Sequence, residues 1–218
     1  MMRDVYDFAK YFMKIGADSK PNTYDGNMKL QKLLVMAYVI CLALYSTRLF
    51  EEDILAFRNG CVVEKVRLRY KLAYQEFKKD SDLYQPNFSE QEYKVLGLVT
   101  GIFGDMSAVE LSRFNHVFDF WKKSYENGTD VNGYHVKDDS VVDFSKYPED
   151  LQTMRDIVAA YQEGKADDDV PELINGVKFY HEGLVLTDDI IDKLATFAET
   201  AEDSAYSVYM DCGELVIY

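Results

Sequence analysis

MKLQKLLVMAYVICLALYSTR, residues 28–48, decides how the rest of the chain is read, because it carries no charge between Lys32 and Arg48. An α-helix rises about 1.5 Å per residue and a bilayer core is about 30 Å thick, so a span needs about 20 apolar residues. The stretch from Leu33 to Thr47 reaches only about 22 Å at that rise, which predicts a buried helix. It also lies behind a complete amphipathic segment and lacks the small-residue cleavage pattern of a secretory signal. Leu30, Leu33, Leu34, Ala37, Cys41, Leu44 and Tyr45 form one face at helical spacing, while Met36, Val39, Ile40 and Ala43 make the opposite side apolar too. A helix that is apolar nearly all round packs against several elements at once.

Working outward, residues 3–15 place Val5, Phe8, Ala9, Phe12 and Met13 on one helical face, with Gly16 as the stop, and residues 17–26 read as a loop. After the central helix, LFEEDILAFRNG reads as a short extended element, and CVVEKVRLRYK resumes helical spacing through Val62, Val63, Val66 and Tyr70. Two capping boxes mark helix starts: Ser89 with Glu92, and Ser107 with Glu110. The second helix is expected to run through Leu111, Phe114, Phe118 and Trp121. A turn-rich connector, with room for a small hairpin, follows Gly128; Pro148 opens a helix expected to end near Gly164. Asn175-Gly176, between two β-favouring runs, predicts a hairpin. A helix over 188–201, capped by Thr187, should turn Ile190, Ile191, Leu194, Phe197 and Ala198 inward, and AYSVYMDCGELVIY should form a second hairpin. The sum is an α+β, mainly α fold: a helical domain over 1–128 and an acidic C-terminal extension over 129–218, packed on it.

With 218 residues and 48% hydrophobic content, the chain can build a substantial core. Cys41, Cys61 and Cys212 are odd in number and widely spaced, which fits free thiols in a reducing cytoplasm. The net charge of −14 argues against direct nucleic-acid or membrane binding. Its distribution is uneven: residues 1–137 carry 18 acids and 19 bases, residues 138–218 carry 20 acids and 5 bases. Such an acidic third keeps a protein soluble, or steers it toward a basic partner.

No phosphate-binding glycine loop, nucleophile elbow, zinc-binding helix or calcium loop appears, so no catalytic residue, cofactor site or metal site is assigned. His116, His135 and His181 lie far apart and read as structural, and Asp167–Asp169 as a solvated charge run. Arg58, Lys65, Arg67, Arg69 and Lys71 form a basic cluster without the interleaved exposed aromatics of a nucleic-acid patch. It reads as a solvated helix face, with pairing to the acidic extension as the alternative.

NMKLQKLLVMAYVICLAL is similar to the LQKLLY-A helix of the Panacea domain, the SocA-like family of prokaryotic and phage antitoxins. LFEEDILAFRNGCVVEKVRLRY follows at the expected distance and resembles that family's second motif. LSRFNHVFDFW resembles its Leu, His and Trp signature, carried by Leu111, His116 and Trp121. The likeness covers about residues 3–125; Cys61 stands where the family has proline, Phe57 where tryptophan is common and Val35 where tyrosine is usual. The motif positions are Leu30, Gln31, Lys32, Leu33, Leu34, Phe50, Ala56, Gly60, Val62, Val66, Tyr70, His116 and Trp121. Read physically, they are mostly determinants of the fold. Gln31 and Lys32, polar on an apolar helix, should hydrogen-bond to a neighbouring loop; Gly60 permits a turn; His116 and Trp121 close the helical body.

The resemblance implies a cytoplasmic, non-enzymatic antitoxin that neutralises a cognate protein toxin by direct complex formation. The acidic third suggests that this toxin is basic, and homo-oligomerisation stays open. The alternative is a phage or mobile-element inhibitor whose acidic surface mimics nucleic acid and blocks a host defence enzyme.

Overall fold

The computed structural model describes residues 3–168, 171–181, 184–211 and 214–218, with backbone alone at 165–168 and 211. Cys212 and the side chains of Asp167–Asp169 lie outside the described residues. The chain divides into two compact units, Met1–Val158 and Ala159–Tyr218.

In the first unit, α1 (Val5–Lys14) is capped by Asp4, whose carboxylate accepts the Tyr6 N–H at 2.9 Å. The central helix α2 spans Tyr24–Tyr45 and starts four residues before the quoted stretch, because Thr23 caps it by accepting the Gly26 N–H at 3.1 Å. Its 22 residues are long and apolar enough to cross a membrane, so length alone does not exclude a span. Burial decides the matter: 78% of its most apolar window is covered by the protein. Leu30, Leu33 and Leu34 are fully enclosed, as is Phe50 just beyond the helix, whose ring meets Tyr38 at 4.9 Å.

Two short strands follow, β1 (Leu55–Phe57) and β2 (Gly60–Val62), paired antiparallel with Ala56 opposite Cys61. Val62 therefore sits in a strand rather than on the expected helix, as its β-branched run Val62-Val63 favours. Helix α3 begins only at Glu64 and runs to Leu72, burying Val66 and Tyr70. Helix α4 (Tyr74–Leu83) then packs on α1.

Both capping boxes form in full, opening α5 (Glu90–Phe103) and α6 (Ala108–Asn115). Phe118 and Trp121 do not continue α6, as the periodicity suggests. The helix stops at His116, Phe118 takes an extended backbone, and α7 (Asp119–Asn127) starts anew. The break lets Phe118 and Phe120, two residues apart, both bury and stack at 5.0 Å.

The connector after Gly128 forms 3-10 turns at Lys137–Ser140 and Phe144–Lys146, with a bridge between Thr129 and His135 in place of a hairpin. It is tied into the first unit: the Val142 N–H donates to the Ile54 carbonyl at 2.8 Å, and Phe144 packs between Tyr38 and Phe120. Helix α8 runs over Pro148–Asp168, past Gly164, and buries Met154 and Val158. These contacts place the unit boundary at residue 158, thirty residues beyond the one the sequence suggests.

The second unit holds β3 (Glu172–Ile174), β4 (Val177–Tyr180), α9 (Asp188–Ala198), β5 (Ala205–Asp211) and β6 (Glu214–Ile217). Asn175 (φ 50°) and Gly176 (φ 86°) form the expected turn, both with the positive φ of a two-residue hairpin loop. The sheet order is β3-β4-β5-β6; β4 and β5 run parallel, which requires a crossover, and α9 supplies it. Val177, Phe179, Leu194 and Val208 form the core, joined by Ile190, Phe197 and Ala198. Ile191, expected inward, is 36% exposed. The fold is α+β, mainly α, as the sequence indicates.

Candidate functional site

A two-stranded sheet leaves one edge of each strand without a backbone partner, and a buried edge must be satisfied by side chains. At β2 and at Val63 just beyond it three side chains do this. Asn115, from the end of α6, accepts the Cys61 N–H at 2.6 Å. Lys32 donates to the Cys61 carbonyl at 2.8 Å, and Gln31 accepts the Val63 N–H at 2.9 Å. Gln31 and Lys32 thus meet a neighbouring segment as their polarity on an apolar helix requires. All three side chains are almost wholly buried.

Gly60 closes over this knot. With φ at +93°, and with a Cβ there falling 2.5 Å from Asn115 Oδ1 and 2.8 Å from Lys32 Cε, no side chain fits the position. Burial pushes the Lys32 amine down to about 8 and the Cys61 thiol up to about 12. The Cys61 sulfur therefore stays protonated and unreactive at neutral pH. Burial also raises the Cys41 thiol.

On the far side of Asn115, His116 stacks on Trp121 at 3.6 Å, and Trp121 stacks on Tyr125 at 5.6 Å. The Trp121 indole N–H donates to the Phe57 carbonyl at 2.8 Å, which fixes the end of β1 to α7. Burial first, then the Lys32 charge, hold His116 below the usual imidazole range. The pair closes the helical body as expected. Tyr70, another motif residue, anchors the loop before α2 by donating to Asp18 at 2.7 Å while accepting the Asn22 N–H at 3.0 Å. Burial and the neighbouring carboxylate both raise its phenol.

In front of the knot opens a cleft of about 740 Å³, beside the N-terminus of α2. Of the motif residues it gathers Gln31, Lys32, Gly60, Val62 and Tyr70. Leu30, Leu33, Leu34, Phe50, Ala56 and Val66 lie in the core instead. The sequence did not single out the cleft's other principal walls Tyr24, Asn27, Tyr125 and Gly133, and it marked Phe57 only as a departure from the family pattern. Nor did it single out Asn115, since its partner Cys61 is 54 positions away; a polar residue beside His116 in the third motif was the only hint.

The basic cluster divides in two. Lys65 pairs with Asp4 at 3.1 Å and Glu52 at 2.7 Å, Arg67 with Glu64 at 2.5 Å, and Arg69 with Asp80. Those carboxylates all belong to the first unit, so among the described residues the cluster does not pair with the acidic last third. Arg58 and Lys71 are exposed, line the cleft and have no carboxylate partner among the described residues. The rings beside the cluster are buried or half-buried rather than exposed: Arg69 lies over Phe77 and Tyr6, and Arg67 over Phe57. Among the described residues no three His, Cys, Asp or Glu side chains gather as metal ligands.

No protein-family model, curated protein or solved structure matches the chain.

Proposed function

We propose that this chain is a cytoplasmic, antitoxin-like binding protein that neutralises a cognate basic toxin by forming a complex with it, with no catalysis of its own. The observation that carries this reading is the partition of charge between the two units. Residues 1–158 hold 24 acids and 21 bases, whereas residues 159–218 hold 14 acids and 3 bases, a net of −11. On α9 and its flanks Asp188, Asp189, Asp192, Glu199, Glu202 and Asp203 are all exposed. Only Asp189 among them has a cationic partner in the described residues, Lys193 at 2.7 Å. Asp188 and Asp189 suit the first turn of α9, but stability gains little from the other unpaired like charges on so small a unit, while a basic partner is drawn in faster by them.

The internal chemistry of the first unit supports binding over turnover. Three of its buried polar side chains, Gln31, Lys32 and Asn115, are spent on backbone groups of Cys61 and Val63, and its buried thiols are held protonated. Gln31 and Lys32 are among the motif positions of the Panacea resemblance, which supports reading them as part of a scaffold on which partner contacts are built.

Co-expression with the product of the reading frame beside its gene tests the reading. Rescue of growth together with co-purification of the two chains is the expected result; absence of both overturns it.

A further inference from the structure

The cleft before the polar knot has a character opposite to that of the whole chain. The protein carries 38 acidic and 24 basic residues, yet no Asp or Glu lines this cleft, while Lys32, Arg58, Arg67 and Lys71 do. Arg67 is held in place by Glu64, which takes its Nε at 2.5 Å and one terminal nitrogen at 3.0 Å and leaves the other terminal nitrogen uncommitted. Arg58 and Lys71 are exposed and have no carboxylate partner among the described residues. The N-terminus of the 22-residue α2 adds the positive end of its dipole to the same opening. Arg58 and Lys71, gathered there without counterions, form an arrangement that an anionic ligand relieves.

Beside these charges the cleft is lined by aromatic rings, and Arg67 itself lies over that of Phe57. His135 stands edge-on to Phe57 at 5.3 Å and stacked on Tyr125 at 5.2 Å, and Tyr125 is backed by Trp121. Tyr24, exposed, is held at the rim by the Asn59 amide. A volume of about 740 Å³ lies within the ~300–1,000 Å³ of small-molecule sites and exceeds what a lone phosphate fills.

We propose that this cleft binds a nucleoside phosphate. The phosphates are met by Arg58, Lys71 and the free nitrogen of Arg67, and the base lies against the wall formed by Phe57, Tyr125 and His135. Arginine and lysine together suit an oligophosphate, the first by its planar fork and the second as a point charge. Lys32, covered by the Cys61 carbonyl and Gly60, shapes the floor and makes no ligand contact. The site belongs to the first unit alone and does not depend on the partner-binding reading.

Isothermal titration of the full chain with ATP, GTP, adenosine, guanosine and tripolyphosphate tests this directly. ATP or GTP is expected to bind in the range of about 1–100 μM, with its nucleoside and tripolyphosphate each roughly tenfold weaker or more. Arg58→Ala/Lys71→Ala changes two exposed side chains and should keep the wild-type circular dichroism while weakening nucleotide binding at least ~10-fold, about 1.4 kcal/mol. Lys78→Ala/Lys79→Ala, on α4 outside the cleft, should bind as wild type does. Failure of both nucleotides to bind at about 1 mM, or unchanged binding by the folded Arg58→Ala/Lys71→Ala chain, overturns the proposal. So does tripolyphosphate binding as tightly as the nucleotide, or a single-stranded oligonucleotide binding more tightly than its mononucleotide.

Discussion

The two units handle polar groups in opposite ways. In the larger one, Lys32, Gln31 and Asn115 are sealed inside and each answers a backbone group of Cys61 or Val63, while the surface charge nearly balances. In the smaller one the described core is wholly apolar, Leu194 of α9 against three buried strand residues, and the carboxylates stand outside with little cationic company. A buried polar group is costly to leave unpaired and so fixes one geometry; an exposed carboxylate costs little to the fold and acts at a distance. The larger unit is built for a fixed shape, the smaller one for a field.

Substitutions can break that contrast at its strongest points first. Phe50→Ala and Phe179→Ala each empty the centre of one core, and each should cost its own unit about 3–5 kcal/mol. Trp121, the only tryptophan, reports the first through fluorescence-detected unfolding, and amide exchange in β4 and β5 reports the second. Asn115→Ala should cost about 1–3 kcal/mol, because the Cys61 N–H is then buried without an acceptor. Asp192→Asn, on the exposed face of α9, should change stability by less than about 0.5 kcal/mol. A cost for Asp192→Asn equal to that for Asn115→Ala would erase the distinction between the units.

The pH dependence sharpens it further. The folded pKa of Lys32, about 8, lies below its unfolded value near 10.5. Between those values the unfolded chain holds a proton that the native chain has released, so this group makes the protein more stable as pH rises from about 8 toward 10.5. Below the folded value both states are protonated and the burial penalty is fully present. Urea unfolding of wild type against Lys32→Met should therefore show a difference that shifts in favour of wild type across that window. A difference independent of pH would mean that the amine is not desolvated.

The smallest effects belong to the surface. Ser107→Ala removes the acceptor for the Glu110 N–H at the start of α6 and should cost about 1 kcal/mol by thermal denaturation. Lys193→Ala, which deletes an exposed i,i+4 pair with Asp189, should cost no more than about 0.5 kcal/mol.

What could be read from the sequence was whatever depends on neighbours. The Ser89 and Ser107 boxes, the Asn175-Gly176 turn and the periodicity of α9 are each set within a few residues, and all appear in the fold. Gln31 and Lys32 were legible for another reason, since polar groups on an otherwise apolar helix must find partners. Which partners they find was not legible: Cys61 in β2 and Val63 just after it lie about thirty residues on, and the open edge of that strand exists only once β1 has paired. The helix break at His116–Phe118 was hidden because Phe114, Phe118 and Trp121 fit helical spacing whether or not the helix continues. Residues 129–158 looked like the start of a second domain by charge, yet Val142, Phe144 and Met154 bury in the first unit. The cleft was least legible, because Tyr24, Arg58, Lys71, Tyr125 and His135 come from five separate segments.

We propose that the smaller unit's carboxylates draw in a basic partner. Stopped-flow association with the proposed partner, the product of the neighbouring reading frame, measured across ionic strengths, tests this most directly. The account predicts an on-rate that falls steeply with added salt, and that drops toward the salt-insensitive level when Asp188, Asp189, Asp192, Glu199, Glu202 and Asp203 are replaced by their amides. An on-rate indifferent to salt and to those six replacements would contradict it.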